Sequence, residues 1–251
     1  LHWPDSLFTF AEEEGILWAG CAGGMTSISE LPVNYQERTG IRYDIKVDGL
    51  LGGHSGAEID KIRANATLLL ARFLHEFREF GEFGLISLSG GQKDNAIPRQ
   101  AEASVLTEQE DGEKLVSYAA EFTQMLRKEY TGTDEGITVT AVCRGEQTEQ
   151  VLHPVSQEKV IFFLMNYPNG IQKMCGFIDG LVETSCNVGV TRLESECLAC
   201  STSVRSSAGS AKKALAGKIQ YLTEFLGGEY HVEGDYPSWE YRQDSALRPL
   251  M

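Results

Sequence analysis

The sequence predicts an α+β fold built of two similar subdomains, each of the ferredoxin-like, split βαβ kind. Three observations carry this. Runs with period-two alternation or β-branched enrichment alternate with runs of helical spacing along the chain. From 41 to 144 their order is strand, helix, strand, strand, helix, strand, the split βαβ arrangement with two helices on one sheet face. From 155 to 234 the same order returns without its first strand, and a strand-like run at 25–31 stands before both.

In chain order, 25-MTSISEL-31 is the strand expected to complete the second unit, and 41-IRYDIKVDGL-50 opens the first. A helix is predicted over 57–77, because Ile59, Ile62, Ala66, Leu69, Leu70 and Phe73 recur at helical spacing as a buried stripe. Ser55 followed by Glu58 is a capping box that starts it. Strands follow at 84-GLISLSG-90 and 100-QAEASVLTE-108, then a helix over 111–130 and the closing strand 137-ITVTAVCR-144. The stretch 145-GEQTEQ-150 is the expected boundary. Beyond it come a helix at 155–167, strands at 180–190 and 194–204, and a helix at 209–228 stopped by 227-GG-228, with a last strand at 229–234. Residues 35–145 therefore form one subdomain, and 25–34 with 150–236 the other.

Bulk properties bound the function. The 251 residues suffice for one large domain or two modest ones. A formal charge of −14 and a pI near 4.8 argue against nucleic acid or an anionic membrane as partner, since both want a basic face. No run of 18 apolar residues occurs, and the N-terminus carries no secretory leader pattern, so a cytoplasmic protein is expected. The chain opens at Leu1 rather than Met, which suggests a fragment or an incomplete gene. The six scattered cysteines read as reduced thiols. The pair 197-CLAC-200 resembles half a zinc knuckle, but no second pair exists and strand alternation sends its thiols to opposite faces.

Four stretches are candidate sites. In 50-LLGGHSGAEIDKIRANATLLL-70, His54 is either a bystander before a capped helix or an imidazole on display. In 89-SGGQKDNAIPRQAE-102, Pro98 and two glycines fix a turn that offers Asn95 as donor and acceptor. In 203-SVRSS-207, Arg205 is either a solvated strand end or a fork for a carboxylate. In 7-LFTFAEEEGI-16, three carboxylates either begin a turn or divide metal binding and proton handling between them.

Taken in order, 49-GLLGGHSGAEI-59, 90-GGQKDNAIPRQAEA-103, 166-NYPNGI-171, 182-VETSCNVGV-190 and 204-VRSS-207 resemble the aminoacylhistidine (Xaa-His, or cytosol non-specific) dipeptidases. These are co-catalytic zinc metallopeptidases. The resemblance implies a lid domain over 25–236, with 1–24 a remnant of the catalytic domain and 237–251 the return to it. It also implies that His54 holds the scissile carbonyl oxygen as charge develops, and that Asn95 and Arg205 contact the dipeptide backbone and its C-terminal carboxylate.

At the N-terminus, 2-HWPDSLFTFAEEEGI-16 resembles the family segment with the catalytic base and a zinc-binding Glu. That makes Glu12 the base and Glu13 the metal ligand. The same acids equally resemble a later segment, in which they follow a metal-bridging Asp, and Phe10 stands at that Asp position. No His-x-Asp occurs in the chain, so the zinc of the complete enzyme is not expected to bind here. Two readings stay open: the lid-containing portion of a zinc dipeptidase, inactive alone, or a non-catalytic binding or dimerisation module derived from that lid. The expected partners are a dipeptide and a second copy, met through a lid sheet edge or helix.

Overall fold

Tyr43, Ile45 and Val47 are buried while Arg42, Asp44 and Lys46 between them are half-exposed, so this strand has one covered face. That pattern organises the computed structural model, which describes residues 20–239 and Tyr241. The first elements are β1 (Gly23–Pro32), β2 (Tyr35–Asp48), β3 (Gly53–His54), α1 (Ala66–Phe77), β4 (Gly84–Gly90), β5 (Ala96–Ile97), β6 (Ala101–Thr107) and α2 (Gln109–Glu129). Then follow β7 (Thr138–Leu152), α3 (Pro154–Asn166), β8 (Gly170–Met174), β9 (Val182–Leu193), β10 (Cys197–Ser206), α4 (Gly209–Phe225) and β11 (Glu229–Tyr236).

The main sheet runs β11-β1-β10-β9-β4-β6-β2-β7, with β8 beside β9, and its pairings are antiparallel. Read from either end, each half has the strand order of a split βαβ unit. One is β7-β2-β6-β4 with α1 and α2; the other is β11-β1-β10-β9 with α4, while α3 packs against α1, β4 and β7 of the first. The N-terminal strand β1 lies between β11 and β10, where the second unit lacks a strand of its own. Among the described residues, strand pairing between the two halves is limited to Ser89↔Arg192 and Gly90↔Thr191. All four helices and both half-sheets contribute to one buried apolar cluster.

Three expectations need correction. The helix predicted from 57 begins at Ala66, and its cap is Asn65 rather than Ser55. The Asn65 side chain accepts from the amides of Thr67 and Leu68, the usual geometry of a cap. Before it, the chain makes a short 3-10 turn at Ile59–Lys61 and leaves it at Ile62 in the left-handed region (φ 52°). The buried Asp134 carboxylate then takes the amides of Leu51 and Ala64, both at 2.8 Å. Tertiary hydrogen bonds thus outweigh the helical periodicity of 57–65, and Ile62, expected in the buried stripe, is 71% exposed. The second correction concerns 145–150, which lies inside β7 rather than at a boundary. The pairing shift between Arg42 and Tyr43 marks a bulge beside Gly145 (φ 87°), where glycine relieves the strain without ending the strand. The third is β8, a short additional strand on 170–174 outside the predicted set.

Candidate functional site

His54 sits in a two-residue ladder between β3 and β5, opposite Ala96. Its Nδ1 accepts from the backbone amides of Gly56 at 3.1 Å and Ala57 at 3.0 Å. An imidazole nitrogen that accepts two N–H groups carries no proton, so the neutral ring is protonated at Nε2. His54 therefore fills the capping place assigned to Ser55, whose buried Oγ has no partner among the described residues. Glu58 reaches back to the His54 amide at 2.9 Å. That backbone bond, with the nearby Arg63 charge, holds the Glu58 carboxyl below its ordinary range. Both contacts orient an exposed ring with one N–H left to donate.

Arg205 projects from β10 toward the same loop. A Cβ placed on Gly56 would meet the His54 ring at 3.0 Å and the Arg205 guanidinium at 3.2 Å. The ring and the fork thus face a single glycine, and glycine alone lets them approach so closely. Arg205 is half-buried. Its Nη1 donates to the Tyr236 hydroxyl at 3.1 Å, while its Nε is buried without a partner among the described residues. This is a cation with an unused N–H rather than a solvated strand end.

Asn95 is exposed on the loop between β4 and β5, and its carbonyl accepts from Ser55 at 2.9 Å. That bond ties the Asn95 loop to the His54 loop. The Asn95 loop rests on β9 at close range. A Cβ on Gly189 would stand 2.2 Å from the Asp94 carbonyl oxygen, and one on Gly91 would stand 1.8 Å from the Gly189 carbonyl oxygen. The Asp94 carboxylate accepts from Thr26 on β1 at 3.1 Å, and Arg192 donates to the carbonyls of Gly90 and Gly91. The structure therefore gathers His54 and Arg205 around Gly56, with Asn95 one backbone bond away.

Sequence reasoning missed the frame beneath. Between its pairing with β8 and its pairing with β4, β9 has no strand neighbour on that side at Val188 among the described residues. Asparagine side chains fill the gap: Asn169 accepts from the Val188 amide at 3.0 Å, and Asn65 donates to the Val188 carbonyl at 2.9 Å. Asn187, 1% exposed, donates to the carbonyls of Asp94 at 3.2 Å and Ala96 at 2.9 Å. The available signal was the asparagine in each of the stretches 166–171 and 182–190.

Among the described residues, no group of three His, Cys, Asp or Glu side chains is placed to hold a metal ion. The described residues do not fit a co-catalytic zinc pair. Glu12 and Glu13 lie outside the described residues. Cys197 and Cys200 are free thiols, and burial pushes Cys200, like Cys186, up to about 12. Thiols so raised are protonated and poor metal ligands. No helix among the described residues is long and apolar enough to cross a membrane.

Comparison with known proteins bears on this arrangement. A Peptidase dimerisation domain family matches residues 45–134. The chain is 31% identical over 245 residues to the cytosol non-specific dipeptidase of Escherichia coli (strain K12), covering 97% of this chain and 50% of that protein. The structure of an aminoacylhistidine dipeptidase from Vibrio alginolyticus superposes with a TM-score of 0.87 at 30% identity, covering 96% of this chain and 49% of that one. The resemblance to the aminoacylhistidine and cytosol non-specific dipeptidases therefore holds along nearly the whole chain, and the chain spans about half the length of these relatives.

Proposed function

We propose, with kinship to these dipeptidases as the premise, that the chain is the lid-containing portion of a zinc-dependent dipeptidase acting on Xaa-His or other dipeptides. Residues 25–236 form the lid, while 1–24 and 237–251 belong with the catalytic domain. The observation that carries the reading is the convergence on Gly56 of an imidazole with one N–H left to donate and a guanidinium whose buried Nε has no partner among the described residues.

On this reading the His54 Nε2–H donates to the scissile carbonyl oxygen. Its benefit grows as that oxygen gains charge, because the donor is already oriented by two amides and pays no rearrangement in the transition state. Arg205 takes the substrate's C-terminal carboxylate through its remaining N–H groups, and Asn95 pairs with the peptide backbone. In a complete enzyme zinc would supply activation of the attacking water, and by resemblance Glu13 would be one of its ligands. Glu12 as base and Glu13 as metal ligand remain assignments by resemblance, and no step is built on them here.

The chain alone is expected to be inactive and to hold no zinc, because no His-x-Asp exists in it and a single Glu does not retain the ion. The same lack favours one other reading, a binding or dimerisation module that keeps the lid's surface without chemistry. A homodimer would form through a sheet edge or helix. β7 has β2 as its neighbour and, among the described residues, a free outer edge, with Val142 on it and Val116 on α2 both exposed. Such an edge can pair with another copy. A cytoplasmic setting and dipeptide partners, without nucleic acid or membrane, complete the proposal.

The test is hydrolysis of a Xaa-His dipeptide by this chain with added zinc. No turnover above background is expected. Turnover abolished by a chelator and by Glu12→Gln would overturn the inactivity.

A further inference from the structure

The motif at 182–190 has a clear place in the fold but no part in the chemistry assigned above. Within it, Asn187 uses both N–H groups of its amide on the carbonyls of the two residues either side of Asn95. It donates to the Asp94 carbonyl at 3.2 Å and the Ala96 carbonyl at 2.9 Å. These two contacts fix which end of the amide is nitrogen, since an oxygen there would face two carbonyl oxygens. Asn187 lies on β9, which pairs with β10 such that Asn187 is opposite Ser203, two residues before Arg205. One strand pair therefore carries both the Arg205 fork and the clamp on the Asn95 loop.

The loop has other tethers: the Ser55 amide donates to the Asn95 carbonyl and Thr26 to the Asp94 carboxylate, and the rest hold its ends. Arg192 takes the carbonyls of Gly90 and Gly91, and the hairpin partner takes Ala96 through the β3–β5 pairing. Asn187 alone among the described residues donates side-chain hydrogen bonds to both neighbours of Asn95. The close seat of the loop on Gly189 sets its height over β9, and the Asn187 amide sets its position along the strand.

We propose that Asn187 is a positioning residue for dipeptide binding: it holds Asn95 at a fixed distance from Arg205, so that backbone and carboxylate of one substrate are met together. The proposal rests on the reading of Asn95 as a substrate contact. It adds to that reading a residue that touches no substrate and acts through Asn95.

The experiment is a double-mutant cycle on the full 251-residue chain, with alanyl-histidine as probe and binding followed by NMR on ¹⁵N-labelled protein. Asn187→Ala is expected to weaken binding roughly tenfold, the scale of two lost hydrogen bonds, and Asn187→Ser to recover part of it. In the Asn95→Ala background, Asn187→Ala is expected to cost nothing further, because a residue that acts through Asn95 has nothing left to position. Additive losses, or an unchanged affinity in Asn187→Ala, would overturn the proposal. Amide exchange in the same samples separates the two layers. Faster exchange confined to residues 94–97 is expected in both Asn187 variants, and unchanged exchange there overturns the clamp. If the unsubstituted chain binds no dipeptide, the substrate reading of Asn95 fails, and positioning for substrate fails with it, whatever the exchange rates show.

Discussion

Beneath α1 and α2, the first unit is filled with rings. Phe73 stacks on Tyr118 at 5.2 Å and meets Phe122 edge-on at 5.4 Å, with Phe77 alongside. Beneath α4, the second unit of the same strand order is filled with hydroxyls. Thr223 donates to Ser29 at 2.9 Å, Thr202 donates to Tyr167 at 3.0 Å, and Ser27 meets Tyr230 at 2.8 Å. A shared topology thus tolerates two kinds of interior within one apolar cluster, the first enriched in packed rings and the second in paired hydroxyls. The difference extends to the site. The ring-filled unit presents His54 and Asn95 on loops, whereas the hydroxyl-filled unit presents Arg205 from a strand. The groups meet only because the seam between the units is secured, and there side-chain amides stand in for strand pairing.

The comparison breaks most severely at Phe122, which is fully buried. Phe122→Ala is expected to cost about 3–5 kcal/mol, measured by denaturant unfolding, with amide protection lost first in the β7-β2-β6-β4 half. Equal loss in both halves would show that the rings support the whole sheet. At the seam, Gly189→Ala forces a Cβ against the Asp94 carbonyl and is expected to cost roughly 1–3 kcal/mol. It should also shift the NMR signals of Asn95 more than those of the ring cluster. In the hydroxyl-filled unit, Tyr167→Phe leaves the buried Thr202 hydroxyl without its acceptor and is expected to cost about 1–2 kcal/mol. A loss as large as that of Phe122→Ala would erase the contrast between the interiors. The smallest effects separate two caps: Asn65→Ala should cost about 1 kcal/mol, while Ser55→Ala, which removes a hydroxyl with no partner, should stay within about 0.5 kcal/mol.

That last pair marks how far the sequence was legible. Alternation and helical spacing gave both split βαβ units and the N-terminal strand that completes the second, because these patterns record burial directly. They misplaced the start of α1, because the Ser55–Glu58 spacing is local. The actual cap depends on Asp134 holding Ala64 and on Asn65 reaching Val188, contacts 70 and 123 residues apart in sequence. His54 and Arg205 stood out by residue type and setting. Their meeting at Gly56 did not, since it requires β10 and the 52–57 loop to be folded against each other. Asn187 was the hardest to see. A buried asparagine in an alternating strand carries no local mark of which backbone groups it serves.

The central claim is that His54, Asn95 and Arg205 form one cup for a dipeptide with a free C-terminal carboxylate. Its most direct test is the affinity of this chain for alanyl-histidine compared with the same dipeptide capped as a C-terminal amide. The account expects the acid to bind at least about tenfold more tightly, as loss of a charge-assisted bidentate contact implies, and Arg205→Ala to abolish the difference. Equal affinity for acid and amide in the unsubstituted chain, or a preference for the acid that survives Arg205→Ala, would contradict it.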